Sequence, residues 1–198
     1  MSSTPSSRER SGVSPAITSA MYWSSDLAER RALKLPFSLS GPRPFSAYLR
    51  LMMTSVAAMC HEFIPGMQER GFGRVVNVAS VAGRMTVNGD YSYGPTKAYL
   101  IALSKGLASS CRDQGVYVMA LCPGFTHTEF HESDKLTAMK KATPKFIWYD
   151  ADVVIREGLS ALEKGKDEYT SGRLYRFLVP VLRQRWTRGL LSLLGVKL

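Results

Sequence analysis

The sequence predicts an α/β fold with a parallel sheet of about three strands and helices on its faces. Residues 74–79 and 116–121 are short apolar runs rich in Val, of the kind that is buried in parallel sheets. Residues 45–70, 92–112 and 150–164 are longer and are predicted to be helices, the first from apolar residues at helical spacing. Because strands alternate with long helices, right-handed βαβ connections are expected.

The 198-residue length is enough for one globular domain with a single core. The formal net charge is +10, but it is not spread evenly. Residues 1–50 hold seven Lys/Arg and three Asp/Glu, residues 173–198 hold six and none, and residues 51–172 hold thirteen of each. A nucleic-acid-binding module would place basic residues on the folded surface together with a recognisable motif, and neither is present. No nucleic-acid partner is therefore expected.

The sequence divides into three segments. Residues 1–45 are rich in Ser and Pro and have no sustained period, which predicts a mostly disordered leader; its Ser/Arg-rich start leaves an organellar transit peptide open. Residues 46–172 form the predicted folded domain. Residues 173–198 alternate arginines with apolar residues and predict a basic amphipathic helix, interrupted at Pro180, that lies on an anionic membrane or packs on protein.

Cysteine usage and hydropathy indicate the compartment. Cys60, Cys111 and Cys122 are odd in number and lie in apolar surroundings, so we expect buried thiols in a reducing compartment. The sequence has no run of eighteen apolar residues and no signal-peptide core. A cytoplasmic protein is expected, with peripheral membrane contact through residues 173–198 left open.

Two short patterns give weak signals. Gly71-x-Gly73 follows a predicted helix and precedes a strand, the reverse of a dinucleotide-binding loop, so we interpret it as a helix end and turn. His127 and His131 lie four residues apart with Glu129 between them. The zincin arrangement requires Glu directly after the first His, and no third ligand is evident, so no metal is expected.

A serine, a tyrosine and a lysine stand at a distinctive spacing. Ser80 follows the first predicted strand, Tyr93 comes thirteen residues later, and Lys97 follows four residues after that. The loop at 123–128 begins Pro-Gly after the next strand, and residues 64–67 end the preceding helix. In this order the four features resemble the short-chain dehydrogenase/reductase family, over about residues 46–172.

The resemblance implies a partial Rossmann-like, doubly wound sheet and NAD(P)-dependent interconversion of an alcohol and a carbonyl. Tyr93 would exchange a proton with the substrate oxygen, and Ser80 would orient that oxygen. The residues themselves support these roles. Tyr93 and Lys97 share one helix face, so the ammonium can favour the phenolate of a side chain whose ordinary pKa is about 10.

The cofactor is implied by the same resemblance. The family's nicotinamide-binding positions correspond here to Tyr93, Lys97, Pro123, Gly124, Thr126 and Thr128. These 198 residues contain no glycine-rich phosphate loop between a strand and a helix, so the choice between NAD and NADP stays open. The helix before the first strand has Met52 where the family usually has an asparagine of a proton relay, and methionine cannot bond a water in that way.

The expected substrate is a small lipophilic carbonyl or alcohol, on the weak indication of Phe130, Phe146 and Trp148 near the Pro-Gly loop. Asn77 is interpreted as a strand residue with a structural hydrogen bond. The family's central strands have no counterpart in the sequence, so an exposed sheet edge and homo-oligomers are expected. The alternative function is a catalytically inactive remnant that acts as an interaction or membrane-peripheral protein.

Overall fold

The computed structural model describes residues 42–85, 89–127 and 143–182. The helices are α1 (Pro42–Leu49), α2 (Ser55–Glu69), α3 (Tyr93–Cys111), α4 (Ala151–Glu163) and α5 (Arg173–Leu182). The strands are β1 (Gly73–Val78), β2 (Val116–Cys122), β3 (Thr126–His127), β4 (Tyr149–Asp150) and β5 (Glu168–Thr170). Short 3₁₀ turns cover Val81–Arg84, Arg112–Gln114 and Lys145–Ile147, and a π-helical turn at Arg50–Thr54 joins α1 to α2.

The main sheet has three parallel strands in the order β1-β2-β5. Val78 lies opposite Leu121, and Cys122 lies opposite Thr170, so all three strands end at one edge of the sheet. A second, two-stranded parallel sheet pairs β3 with β4 just beyond that edge. Ligands of open α/β sheets bind at the carboxyl ends of the strands, so this edge is where a site is expected.

Helices cover both faces of the main sheet, which confirms the predicted fold class. On one face α2 and α3 pack against β1 and β2 through a cluster of buried residues that includes Ile64, Leu100 and Val118. On the other face α4 packs against Met119 and Leu121 of β2 through Val154, Ala161 and Leu162. β2 contributes to both clusters and is therefore buried on two faces. Its near-continuous apolar sequence is typical of such a strand.

The sequence placed β1, β2 and the helices within a few residues of their observed bounds. The first helix begins at Pro42, three residues before the expected start at Phe45, because proline is well accommodated in the first turn of a helix. The expected interruption at Pro180 was wrong, since α5 continues through it to Leu182. Proline has no backbone N–H, so Pro180 removes one hydrogen bond to the preceding turn, a loss that α5 tolerates.

Asn77 makes the structural hydrogen bond expected of it. Its side-chain amide is 4% exposed and donates to Ser104 Oγ at 3.0 Å. The Ser104 hydroxyl in turn donates to the Leu100 carbonyl at 2.7 Å. A buried amide without a partner costs about 1–3 kcal/mol, so this pair joins β1 to α3 at little desolvation cost.

β1 is an edge strand in the part of the chain that the structure describes. The N–H of Gly73, which begins the strand, donates to the Gly115 carbonyl just before β2 at 3.2 Å, and the N–H of Ala79, directly after the strand, donates to Leu121 of β2 at 2.7 Å. Because alternate residues of a strand face opposite neighbours, Val76 and Val78 direct their backbone groups away from β2.

Candidate active site

Ser80 lies directly beyond the end of β1 and opens the Val81–Arg84 turn. It is 9% exposed, and its Oγ accepts a hydrogen bond from the Ala82 N–H at 3.1 Å. The next amide, Val81 N–H, donates to the Pro123 carbonyl at 2.9 Å. The turn after β1 is thereby tied to the loop after β2, which brings Ser80 beside the Pro-Gly loop.

Tyr93 and Lys97 lie in the first turns of α3, and Asp90 fixes where that helix begins. The Asp90 carboxylate accepts from the Gly94 N–H at 2.8 Å and from the Ser92 N–H at 3.3 Å. These amides belong to the helix start, whose N–H groups have no partner within the helix, and a carboxylate is favoured there by the helix dipole. Asp90, three residues before Tyr93, therefore sets the start of α3 at Tyr93.

The Lys97 ammonium lies between Tyr93 and the end of β1. Its Nζ donates to the Val78 carbonyl at 3.2 Å and lies 5.6 Å from the centroid of the Tyr93 ring. The Val78 carbonyl points away from β2 and so has no partner in that strand. The Lys97 ammonium donates to it in the place of an N–H from a neighbouring strand. The cation is thus anchored to the sheet and faces the tyrosine, as the four-residue spacing predicts.

Gly83 permits this close approach of the turn to α3. A β-carbon on Gly83 would lie 2.6 Å from the Lys97 backbone carbon and 2.7 Å from the Ala98 nitrogen. Those neighbours are helix backbone and cannot rotate aside. Only glycine lets the turn after Ser80 rest against the helix that carries Tyr93 and Lys97.

The Pro-Gly loop follows β2 and leads into β3. Thr126 is 9% exposed, and its Oγ1 donates to the Gly124 carbonyl at 3.1 Å. Its register partner in β4 is Tyr149. The structure therefore places Pro123, Gly124 and Thr126 at the same sheet edge as Ser80. Thr128 lies outside the described residues.

Tyr175 of α5 packs on this loop, a contact that no pattern in the sequence predicts. Its hydroxyl accepts from the Phe125 N–H at 3.1 Å and donates to the Ile147 carbonyl at 2.8 Å. A β-carbon on Gly124 would lie 2.0 Å from its ring. Burial raises the pKa of the Tyr175 phenol, and the Phe125 bond opposes that shift in part. Tyr175 therefore stays protonated as a link between α5 and the loop.

A charged cluster on β5 also contacts the turn after Ser80, and it too was not predicted. Arg84 Nη1 donates to Thr170 Oγ1 at 2.7 Å, and Arg84 Nε lies 3.1 Å from Glu168 Oε1. The other carboxylate oxygen of Glu168 lies 3.3 Å from Lys105 Nζ on α3. The cluster joins the turn, the sheet and α3 across the end of β2.

The aromatic residues proposed near the substrate have different surroundings. Trp148 is 8% exposed and stacks on Phe125 at 5.0 Å between ring centroids, so it supports the loop. Phe146 is 71% exposed, and Phe130 lies outside the described residues. His127 is exposed and stacks on Trp148 at 5.4 Å.

Glu129 and His131 of the weak metal pattern lie outside the described residues as well. Among residues 42–85, 89–127 and 143–182, no three His, Cys, Asp or Glu side chains are grouped so that they could hold a metal ion.

Comparison with known proteins identifies the family. The family model described as short chain dehydrogenase matches residues 35–138, just over half of the 198-residue chain. The chain belongs to the short chain dehydrogenase family. The match includes Ser80, Tyr93, Lys97 and the Pro-Gly loop, so the resemblance predicted from these residues is confirmed at the level of the family.

Two curated short chain dehydrogenase relatives illustrate how much of the chain is matched. The acetoacetyl-CoA reductase of Rhizobium meliloti is 36% identical over 88 residues, which are 44% of this chain and 36% of that protein. The 2-keto-3-deoxy-L-fuconate dehydrogenase of Xanthomonas campestris is 42% identical over 86 residues, 41% of this chain and 29% of that protein. The matched region is about a third of the length of either relative.

A solved short chain dehydrogenase shows the same fold. The short-chain dehydrogenase from Sphingobium yanoikuyae in complex with NADPH superimposes with a TM-score of 0.63 at 23% identity. The alignment covers 80% of this chain and 60% of that one. At this identity the match shows the fold alone.

Met52 departs from the family pattern and lies within the π-helical turn that joins α1 to α2. Its side chain is 5% exposed. A thioether offers only a weak acceptor and no donor, so Met52 cannot replace the amide of the family's asparagine. Any proton relay at this site must use other groups.

Cys122 ends β2 directly before the Pro-Gly loop, and we expect it to be chemically inert. Burial, with a smaller contribution from Glu168, raises the pKa of its thiol to about 12. The fraction of reactive thiolate at pH 8 is then about 10⁻⁴. Burial also raises the pKa of Cys60 and Cys111.

Titration with a chromogenic disulfide reagent at pH 8 should therefore detect almost no fast thiol in the native protein. In denaturant all three cysteines should react, because each is a free thiol buried in the fold. A rapidly reacting thiol in the folded protein would contradict the burial of these cysteines.

Proposed function

We propose that this chain carries the catalytic centre of an NAD(P)-dependent oxidoreductase that interconverts an alcohol and a carbonyl. The observation that carries the proposal is the position of Lys97, which is bonded to the Val78 carbonyl at 3.2 Å and faces the Tyr93 ring at 5.6 Å. A cation held beside a phenol favours its ionised form, which is what a tyrosine needs to transfer protons near neutral pH.

Ser80 is suited to orient the substrate oxygen. Its Oγ already accepts the Ala82 N–H, so its own hydroxyl hydrogen is directed elsewhere. In carbonyl reduction Ser80 would donate to the carbonyl oxygen and Tyr93 would give that oxygen its proton; in alcohol oxidation Tyr93 takes the proton back. These donors act where negative charge develops on the oxygen, so they stabilise the transition state.

The residues at this edge fit the nicotinamide end of the cofactor. Lys97 offers a donor, and the loop from Pro123 to Thr126 is bonded to the turn after Ser80, with its Phe125 amide held by Tyr175. When bound, the cofactor exchanges a hydride with the substrate carbon. The names of the relatives support this function, being those of a reductase and a dehydrogenase, and one solved neighbour is a complex with NADPH.

The fit does not extend to the pyrophosphate. The sequence has no glycine-rich loop between a strand and a helix, which is the element that binds this group in dinucleotide folds. The 198-residue chain must therefore bind the cofactor mainly through contacts to its nicotinamide end, to which any partner surface would add. Weak cofactor binding is expected.

The test is a titration of the chain with NADH, NADPH and reduced nicotinamide mononucleotide, followed by nicotinamide fluorescence. Saturable binding is expected for all three, and Lys97→Ala should weaken it. Lys164→Ala is the control, because Lys164 is an exposed lysine that follows α4 and takes no part in the site. A protein that binds none of the three at millimolar concentration would refute the proposal.

The second candidate function is a catalytically inactive remnant that binds a partner or a membrane. Met52, which stands where the resemblance implies an asparagine, favours it. The two candidates differ in the same titration: the remnant shows no saturable cofactor binding and no difference between wild type and Lys97→Ala.

A further inference from the structure

One face of α5 is exposed and combines apolar with basic side chains. Phe177 is 71% exposed and Val181, one turn later, is 37% exposed. Arg173, one turn before Phe177, is also exposed. The opposite face is buried, with Tyr175 at 8% and Val179 at 1% exposure. The inner side chains hold the helix on the domain, and the outer face, Arg173-Phe177-Val181, points away from it.

The sequence from the start of α5 onward carries charge of one sign. Residues 173–198 contain six Lys/Arg and no Asp or Glu, in contrast to the balanced charges of residues 51–172. Of the six, Arg176 is engaged inside the fold, where it lies 3.4 Å from Glu157. The apolar residues of the last stretch of sequence include Trp186 and four leucines between 190 and 194.

We propose that the outer face of α5, Arg173-Phe177-Val181, docks on an anionic lipid surface. An exposed aromatic side chain next to arginines can insert at the boundary between headgroups and acyl chains while the cations contact lipid phosphates. No helix in the described part of the chain is long and apolar enough to cross a bilayer. Apart from Arg176, which pairs with Glu157, the bases of residues 173–198 have no acid in their own segment, and an acidic surface is their complement.

Docking in this way would bring the candidate active site close to the lipid. α5 packs against the Val81–Arg84 turn, and its Tyr175 contacts Gly124 of the Pro-Gly loop. The helix therefore lies at the sheet edge that carries Ser80 and the Pro-Gly loop. This step rests on the proposed function: a lipophilic carbonyl or alcohol would reach the site directly from the membrane.

The proposal is tested by flotation of the full chain with lipid vesicles, which needs no enzymatic turnover. The wild type should bind vesicles of phosphatidylcholine with phosphatidylglycerol, bind pure phosphatidylcholine much less, and be released by salt. Phe177→Ser should lower the partition coefficient about tenfold, because a large apolar side chain no longer leaves water. Phe72→Ser is the matched control. Phe72 is 58% exposed but directly precedes β1, at the amino ends of the strands and away from the candidate site.

A charge variant separates the two contributions. Arg173→Gln should weaken binding to the anionic vesicles about fivefold and leave binding to neutral vesicles unchanged, as expected for one basic residue near a charged surface. Circular dichroism and thermal unfolding verify that each variant is folded.

Three results would overturn the proposal. The first is a wild type that binds no vesicles, and the second is a Phe177→Ser variant that binds as well as the wild type. The third is a dimer in lipid-free size-exclusion chromatography that Phe177→Ser dissociates, which would assign the face to a second copy of the chain. Failure of cofactor binding would leave this test intact, because vesicle binding is measured without cofactor.

Discussion

Replacing Tyr93 by phenylalanine is expected to lower turnover about 10²–10⁴-fold, the usual contribution of a positioned acid–base group. The substitution removes the phenolic oxygen and leaves the ring, which lies 5.6 Å from the Lys97 ammonium, in place. Substrate and cofactor contacts made by other groups should persist. We therefore expect the loss in kcat, with KM for the carbonyl substrate changed only a few-fold.

The measurement is NADPH and NADH oxidation by the purified chain with a series of ketones. Tyr91→Phe is the matched control, because it removes the same atom from a half-buried tyrosine two residues away. It should retain nearly full activity. If Tyr93→Phe kept turnover within a few-fold of wild type, the proton would have to come from another group, and the assignment of Tyr93 would be lost.

The parts of the site that could be predicted from the sequence are those set by local geometry. Tyr93 and Lys97 are four residues apart on a helix, so a shared face follows from the helix repeat alone. Ser80 could be placed at the sheet edge because a buried strand ends just before it. The apolar runs of β1 and β2 have the length and composition of strands covered on two faces, which is why they were placed within a residue of their bounds.

The remaining contacts could not be predicted because they join residues far apart in the chain. Arg84 and Thr170 are 86 residues apart, and Tyr175 is 50 residues from the Phe125 amide it binds. β5 has only three residues and carries Glu168, so its composition does not indicate a strand. It forms because β2 offers an open edge beside it, which no local pattern reveals. Arginines and tyrosines in such positions look like ordinary surface residues until the fold brings them together.

These long-range contacts explain how a site at a sheet edge is held in place. The turn after Ser80 is bonded to the Pro123 carbonyl on one side and, through Arg84, to Thr170 and Glu168 on the other. The sheet edge therefore fixes Ser80 from two directions. The distance from the turn to α3 is set by a third contact, the close packing at Gly83.

Gly83→Ala is the structural change for which we expect the largest effect. Gly83 is not among the glycines with positive φ, so alanine meets no backbone strain of its own there. Its β-carbon would nevertheless lie 2.6 Å from the Lys97 backbone carbon. Both groups are backbone, so the contact is relieved only if the turn and α3 shift relative to each other. Overpacking of this kind costs about 1–3 kcal/mol, which should appear as a lower free energy of unfolding in urea.

Gly106→Ala is the control for that experiment. Gly106 is exposed on the same helix, α3, and a β-carbon there would have no heavy atom within 4 Å. Alanine should stabilise the helix by up to about 1 kcal/mol, the opposite sign to Gly83→Ala. The Gly83 variant should also lose activity beyond its loss of stability, because relief of the clash moves Tyr93 and Lys97 away from Ser80. A Gly83→Ala protein with wild-type stability and turnover would show that α3 and the turn can separate freely, and the precise spacing of the three residues would then not be set by this contact.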